Sequence, residues 1–414
     1  MFQKLSQIGI IKKFFSNDEE EKEEDHLSVA IKHFRLHYTE PKTALNQDIE
    51  NIKNCKISSS VRGFIWLFFM GIIPFKAPLN WQKIINEERA NYLVLRTKYL
   101  TKDVSDFIEK KRINNTKEYD SYKEILKKED FELLNLIKVD VDRTYQEHEI
   151  FTRDNIKIKL ITCLYIFSKE YPKYSYRQGM NDICGVFLYV LYRDFELDDK
   201  FEIDTPTCVY SVIHSNNNFL EHDLYLMFSR FMKKGVADFF LYNSIEYKKG
   251  FLGNKSLEEK KAFKIKDLSI CDDSDLKKRA YIIYYKVLKK IDNEFYDILV
   301  DNVEPELFLI RWYLCVFTRE FKLDQIVHLW DLIIFYEFVE SKICKTKKFL
   351  WHYNFMDYIA LSMIINCKQE ALKKGKDANN LMNVMMHFPT DITIEKIVKK
   401  ALEIYSKYNP EIKV

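Results

Sequence analysis

Two short stretches carry residue types suited to chemistry: I-K-V-D-V-D-R at 137–143 and Y-R-Q-G-M-N at 176–181. They place an arginine, Arg143, and a glutamine, Gln178, on two segments that flank one run of helical text. An arginine supplied from outside spreads the charge of a transferring phosphoryl group, and a glutamine can hold the attacking water in line. Asp140 stands three residues before Arg143, so on a helical turn the two share a face. A carboxylate there can hold the guanidinium fork in advance. In isolation such a pair is more often a plain surface ion pair, worth at most about 1 kcal/mol. Asp142 lies off that face and is given no role. Gly179 allows a positive-φ turn that lets Gln178 project. Tyr176 either packs beside a bound nucleotide or walls the loop.

The elements between must bring these side chains together. From Asn155 to Glu170, Ile158, Ile161, Leu164, Tyr165 and Phe167 make a helical stripe. Pro172 bars helix at Tyr171 and ends the run. That helix is about 24 Å long at ~1.5 Å per residue, and the segment 144–154 spans roughly 36 Å if extended. Arg143 and Gln178 can therefore lie at one end of it. Beyond Gly179, Met180, Ile183, Phe187, Val190 and Leu191 stripe a second helix, which puts Gln178 near a helix N-terminus, a setting favourable to phosphate.

The whole chain of 414 residues is long enough for one large domain or two modest ones. It has only 9 glycines and 8 prolines, about 4% against roughly 12% in an average protein. With apolar residues recurring at helical spacing and almost no alternating runs, the expected fold is all-α. Charge is high but balanced, 65 basic against 62 acidic residues, and no basic stripe of a nucleic-acid binder stands out. Eight cysteines without a C-x-x-C pair point to a reducing compartment. The longest apolar run, 63–75, is too short to span a bilayer, and no signal-peptide pattern is seen. His33 and His37 are spaced for one helix face, but Phe34 stands where a zincin has glutamate. No metal is expected.

The spacing I-x-x-D-x-x-R followed by Y-x-Q-G-M resembles the TBC domain, the family of Rab GTPase-activating proteins. V-R-G-F-I-W-L-F-F-M-G at 61–71 is similar to that domain's opening R-x-x-x-W-x-x-x-x-G through Arg62, Trp66 and Gly71, with Ser58 to Ser60 offering helix caps before it. F-L-E-H-D-L-Y-L-M-F at 219–228 is similar to its E-x-D-x-[FY]-x-x-F segment, and Trp312, Trp330 and Asp331 match in its second half. The resemblance implies an all-helical domain of two lobes, V-shaped around a groove. It also implies that Arg143 and Gln178 are the catalytic residues, acting in trans in the nucleotide site of a Rab-type GTPase in its GTP state. Asp140 would orient Arg143, and Tyr176 and Gly179 would shape the loop. Arg62, Trp66, Gly71, Trp312, Trp330 and Asp331 would be architectural. The chain would need no cofactor of its own, because GTP and Mg²⁺ belong to the partner. A Rab-binding scaffold without catalysis is the runner-up.

The expected organisation is an N-terminal extension over 1–56, a first lobe over 57–243, a linker or insertion over 244–276, a second lobe over 277–405 and a tail over 406–414. Residues 1–15 mix apolar and basic side chains, and read either as a short amphipathic helix touching a membrane or partner or as a loosely docked terminus. The acidic run 18–25 reads as a solvated spacer. A cytoplasmic protein recruited peripherally to endomembranes fits these features.

Overall fold

The computed structural model describes residues 26–74, 78–110, 116–192, 209–210, 212–213, 218–241, 275–343, 352–410 and 412. Every regular element among them is helical, including the short helices α5 (Lys102–Glu109), α6 (Thr116–Ile125) and α8 (Glu149–Thr152). Residues 1–15, the acidic run, and 242–274, which take in nearly all of the expected linker, lie outside the described residues.

At the centre of the first lobe are α9 (Asp154–Glu170) and α10 (Met180–Leu191). Helix α9 ends where Pro172 requires, with Tyr171 as its C-cap. It is not the one-faced helix that its stripe suggests. From Leu160 to Ser168 every residue is buried, because α4 (Trp81–Tyr99), α7 (Lys128–Val141), α10 and α11 (Leu220–Phe231) all pack on it. Helix α11 is tied to α4 by polar contacts as well as apolar ones. Arg89 grips Asp223 with two hydrogen bonds of 2.8 and 2.7 Å, and the Tyr92 hydroxyl donates to Glu221 at 2.8 Å.

Helix α3 (Ser59–Phe69) begins after Ser58, whose backbone is extended as an N-cap requires. The Ser58 hydroxyl nevertheless meets Ser60 Oγ at 2.9 Å instead of a backbone N–H, so it does not cap the helix. At the other end, Ile72 N–H donates to Leu67 O and Gly71 N–H to Phe68 O, a Schellman turn around Gly71 at φ +69°.

The second lobe runs from α12 (Asp275–Tyr281) through α13 (Asn293–Val300), α14 (Glu306–Leu314), α15 (Leu323–Phe338), α16 (Phe355–Lys374) and α17 (Ala378–Met386) to α18 (Ile394–Tyr408). The lobes meet mainly where α15 packs on α3 and α10. Arg62 Nε lies 3.1 and 3.2 Å from the two oxygens of Asp331, and Trp66 Nε1 donates to Asp331 Oδ1 at 2.7 Å. The Trp66 and Trp330 rings stack at 6.0 Å. The six architectural residues divide: Arg62, Trp66, Trp330 and Asp331 clamp the lobes together, Gly71 closes α3, and Trp312 is fully buried within the second lobe.

Within the expected extension, α1 (His26–Thr39) and α2 (Pro41–Lys53) pack as a hairpin. Helix α1 lies on α3, while α2 touches α15 and α18 of the second lobe. This part of 1–56 is integral to the core.

Candidate functional site

Helix α7 delivers the first motif. Its C-terminal turn buries Ile137, Asp140 and Val141 and leaves Arg143, just past the helix end, exposed. Arg143 Nη2 donates to Asp140 Oδ1. The guanidinium side chain is 54% exposed while Asp140 is 2% exposed, so a buried anchor holds a projecting cation. Asp142 instead pairs with Lys157 of α9 at 3.2 Å, away from this contact.

The second motif meets the first on the same carboxylate. The Tyr176 hydroxyl lies 2.7 Å from Asp140 Oδ2 and 3.1 Å from Asn181 Oδ1. With one proton to give, it donates to the nearer, charged acceptor. Tyr176 is buried, 3% exposed, so of its two readings it is the wall. Burial, then the hydrogen bond to Asp140, push its hydroxyl pKa far up, which keeps the phenol protonated. Gln178 is two residues on, at most about 7 Å between Cα atoms, and is exposed. The two loops therefore converge on Asp140, each with its polar tip in solvent.

Gly179 is the N-cap of α10 at φ +104°, the turn expected from its lack of a Cβ. Gly185 answers a different need: a Cβ there would sit 2.8 Å from Tyr145 Cε2, so only glycine lets α10 approach the Arg143 turn this closely. Sequence reasoning assigned nothing to Asn181, yet it stitches the two motifs. Its Nδ2 donates to Thr144 Oγ1 at 2.9 Å and to Asp182 Oδ1 at 2.8 Å, and its Oδ1 accepts the Gly179 N–H at 3.0 Å. Position 181 in Y-R-Q-G-M-N was the available signal. Arg319 was missed altogether: from the second lobe its Nε donates to Asp182 Oδ2 at 3.1 Å.

The family profile described as Rab-GTPase-TBC domain matches residues 59–373, about three quarters of the chain. The chain belongs to the Rab-GTPase-TBC domain family. Both the 137–143 and 176–181 motifs and the Arg62–Trp66–Asp331 clamp fall inside the matched range, and α18 packs on the TBC core beyond it. The chain is 24% identical over 357 residues to TBC1 domain family member 5 of Mus musculus, covering 85% of this chain and 41% of that protein. It is 24% identical over 270 residues to the GTPase-activating protein GYP1 of Saccharomyces cerevisiae, covering 63% and 35%. It thus spans less than half the length of these relatives. The solved structure of the Ypt/Rab-GAP domain of Gyp1p superposes with a TM-score of 0.56 at 16% identity, covering 87% of this chain and 93% of that one, a likeness of TBC fold.

Among the described residues of this TBC chain, His33, His37 and Asp48 form a group with ligand atoms within 4.8 Å of one another. The third member, Asp48, comes from α2, 11 residues after His37. Each imidazole Nε2 faces its own Asp48 oxygen at 2.7 Å. Burial pushes the Asp48 carboxyl up, but the two imidazole hydrogen bonds outweigh it and leave it lowered; burial lowers His37. The buried Nδ1 atoms of both histidines lack partners. A metal on Nε2 would turn them into stranded N–H donors, against the usual second-shell pattern. The arrangement suits a hydrogen-bonded clasp between α1 and α2. No helix among the described residues is long and apolar enough to cross a membrane.

Proposed function

We propose that this chain stimulates GTP hydrolysis by a Rab-type small GTPase, engaging it in the GTP state and supplying Arg143 and Gln178 in trans. The observation that carries the reading is the convergence of both loops on Asp140 with Arg143 and Gln178 exposed. Held by Asp140, the guanidinium would enter the partner's nucleotide site and neutralise charge developing on the transferring phosphoryl group. The carboxamide of Gln178, at the N-terminus of α10, would orient the attacking water. Nucleotide and Mg²⁺ would be the partner's, so the chain acts as an activator without a cofactor of its own. Work on a membrane-bound GTPase would set it in the cytoplasm, recruited peripherally to endomembranes in vesicle traffic.

The test is single-turnover hydrolysis of GTP on a panel of purified Rab proteins, with Gln178→Ala as control. Stimulation on at least one Rab, lost in the variant, supports the reading. Wild type and variant equally silent on the whole panel would replace it with that of a Rab-binding scaffold.

A further inference from the structure

The second lobe reaches the Gln178 loop through a short hook, Cys315–Glu320, that follows α14. Val316 (φ 49°) and Phe317 (φ 63°) are consecutive left-handed residues without the excuse of glycine, and both are fully buried. A β-branched residue at positive φ is a true outlier. Such strain persists only where its surroundings over-determine it, and it gathers at functional sites. Here Trp330 Nε1 donates to Val316 O at 3.0 Å, and Arg311 Nη2 holds Glu320 Oε1 at 2.6 Å.

What the hook presents is specific. A Cβ on Gly179 would lie 3.1 Å from Cys315 Sγ and 4.0 Å from Arg319 Nη2, so the hook packs directly on the residue after Gln178. A polar relay runs alongside: Arg319 Nε to Asp182 Oδ2, Asp182 Oδ1 to Asn181 Nδ2, and Asn181 Oδ1 to the Gly179 N–H. That last N–H belongs to the peptide joining Gln178 to Gly179. Burial pushes the Asp182 carboxyl up and the Arg319 charge pulls it back.

We propose that Arg319 is a positioning residue for Gln178, fixing the glutamine loop from the second lobe through Asp182 and Asn181. This rests on the reading of Gln178 as the water-orienting group.

The experiment measures stimulated hydrolysis for Arg319→Ala, the near-isosteric Asp182→Asn, Gln178→Ala and the double variant Arg319→Ala/Gln178→Ala. Amide hydrogen exchange across 174–183 is followed in each without any partner. Loss of Arg319 is expected to lower kcat about 10- to 100-fold with KM little changed, as for a small misplacement of a catalytic group. In the Gln178→Ala background the same substitution should cost less than about 3-fold, since residues acting through one another are not additive. Asp182→Asn should reproduce the loss even if Arg319→Ala folds poorly. The Gly179 amide should exchange at least about 10-fold faster in both variants, and Arg319→Lys should recover part of the protection. Full additivity with Gln178→Ala and an unchanged Gly179 amide would overturn the proposal, and would make Arg319 a direct contact to the partner. If no Rab is stimulated at all, the proposed function fails, and exchange at Gly179 still decides whether Arg319 orders the loop.

Discussion

Two arginine–aspartate pairs drawn from the motif residues have opposite surroundings. Arg62 and Asp331 are both buried, 5% and 2% exposed, and a third partner, Trp66, donates to the same carboxylate. In the other pair Asp140 is equally buried, but Arg143 is 54% exposed. The carboxylates are alike; what differs is whether the guanidinium has left water. A fully buried pair loses hydration on both sides, so removing one partner strands a charge and costs about 3–5 kcal/mol. A pair whose cation stays in water keeps that partner's hydration, and Asp140 retains the Tyr176 hydroxyl when the arginine turns to another anion. The first arrangement is a tie between lobes and the second an anchored, releasable cation.

Replacing each partner in turn breaks or sharpens this contrast. Arg143→Ala should have the largest effect, a loss of about 10³- to 10⁵-fold in stimulated hydrolysis, or roughly 4–7 kcal/mol of barrier. The melting temperature should hardly move, since Asp140 keeps its Tyr176 hydrogen bond. A variant that still stimulates at near wild-type rate, or one that unfolds, would erase the distinction. Asp331→Ala should do the reverse, destabilising the fold by about 3–5 kcal/mol in denaturant titration because Arg62 and the Trp66 N–H lose their acceptor. A change under about 1 kcal/mol would mean that the clamp is no tie.

A buried carboxylate that accepts from neutral donors sharpens the contrast further. Glu340 accepts from the Tyr405 hydroxyl at 3.0 Å and from Asn354 Nδ2 at 3.2 Å, and burial outweighs them to push it up to about 7. Its folded-state value lies above that of the unfolded chain. Its contribution is therefore complete below about pH 4.5 and is lost as pH rises through about 7, by up to about 3 kcal/mol. Glu340→Gln should flatten that part of the stability–pH profile. A wild-type profile already flat from pH 4.5 to 7 would contradict the assignment.

Which of these features could be read from the chain depends on the distance over which each acts. Pro172 ends α9 and Gly179 opens α10 through sterics within a turn, so both were legible. Asp140 and Arg143 share a turn, and their pairing was legible too. Arg62 and Asp331 were each singled out, but nothing local says that residues 269 apart touch. Asp182 and Arg319, 137 apart, meet across the lobes, and the strain at Val316 and Phe317 has no periodicity to betray it. Tyr176 could not be assigned because wall and ligand contact use the same ring, and only its burial separates them. Asp48 escaped because its histidine partners sit on the preceding helix. The near-complete burial of α9 likewise exceeds what its stripe implies, since a stripe counts one face and the surrounding helices cover the rest.

The hairpin of α1 and α2 has a practical consequence. Phe34 is fully buried, with ring centroids 4.8 Å from Phe64, 5.6 Å from Trp81 and 5.3 Å from Tyr210. A fragment trimmed to begin at residue 59, where the family match starts, would uncover these aromatic faces and strip α15 and α18 of their cover. Contiguous apolar surface of that kind drives self-association. The trimmed fragment is expected to aggregate, and a shortened version made for crystallisation should begin ahead of His26.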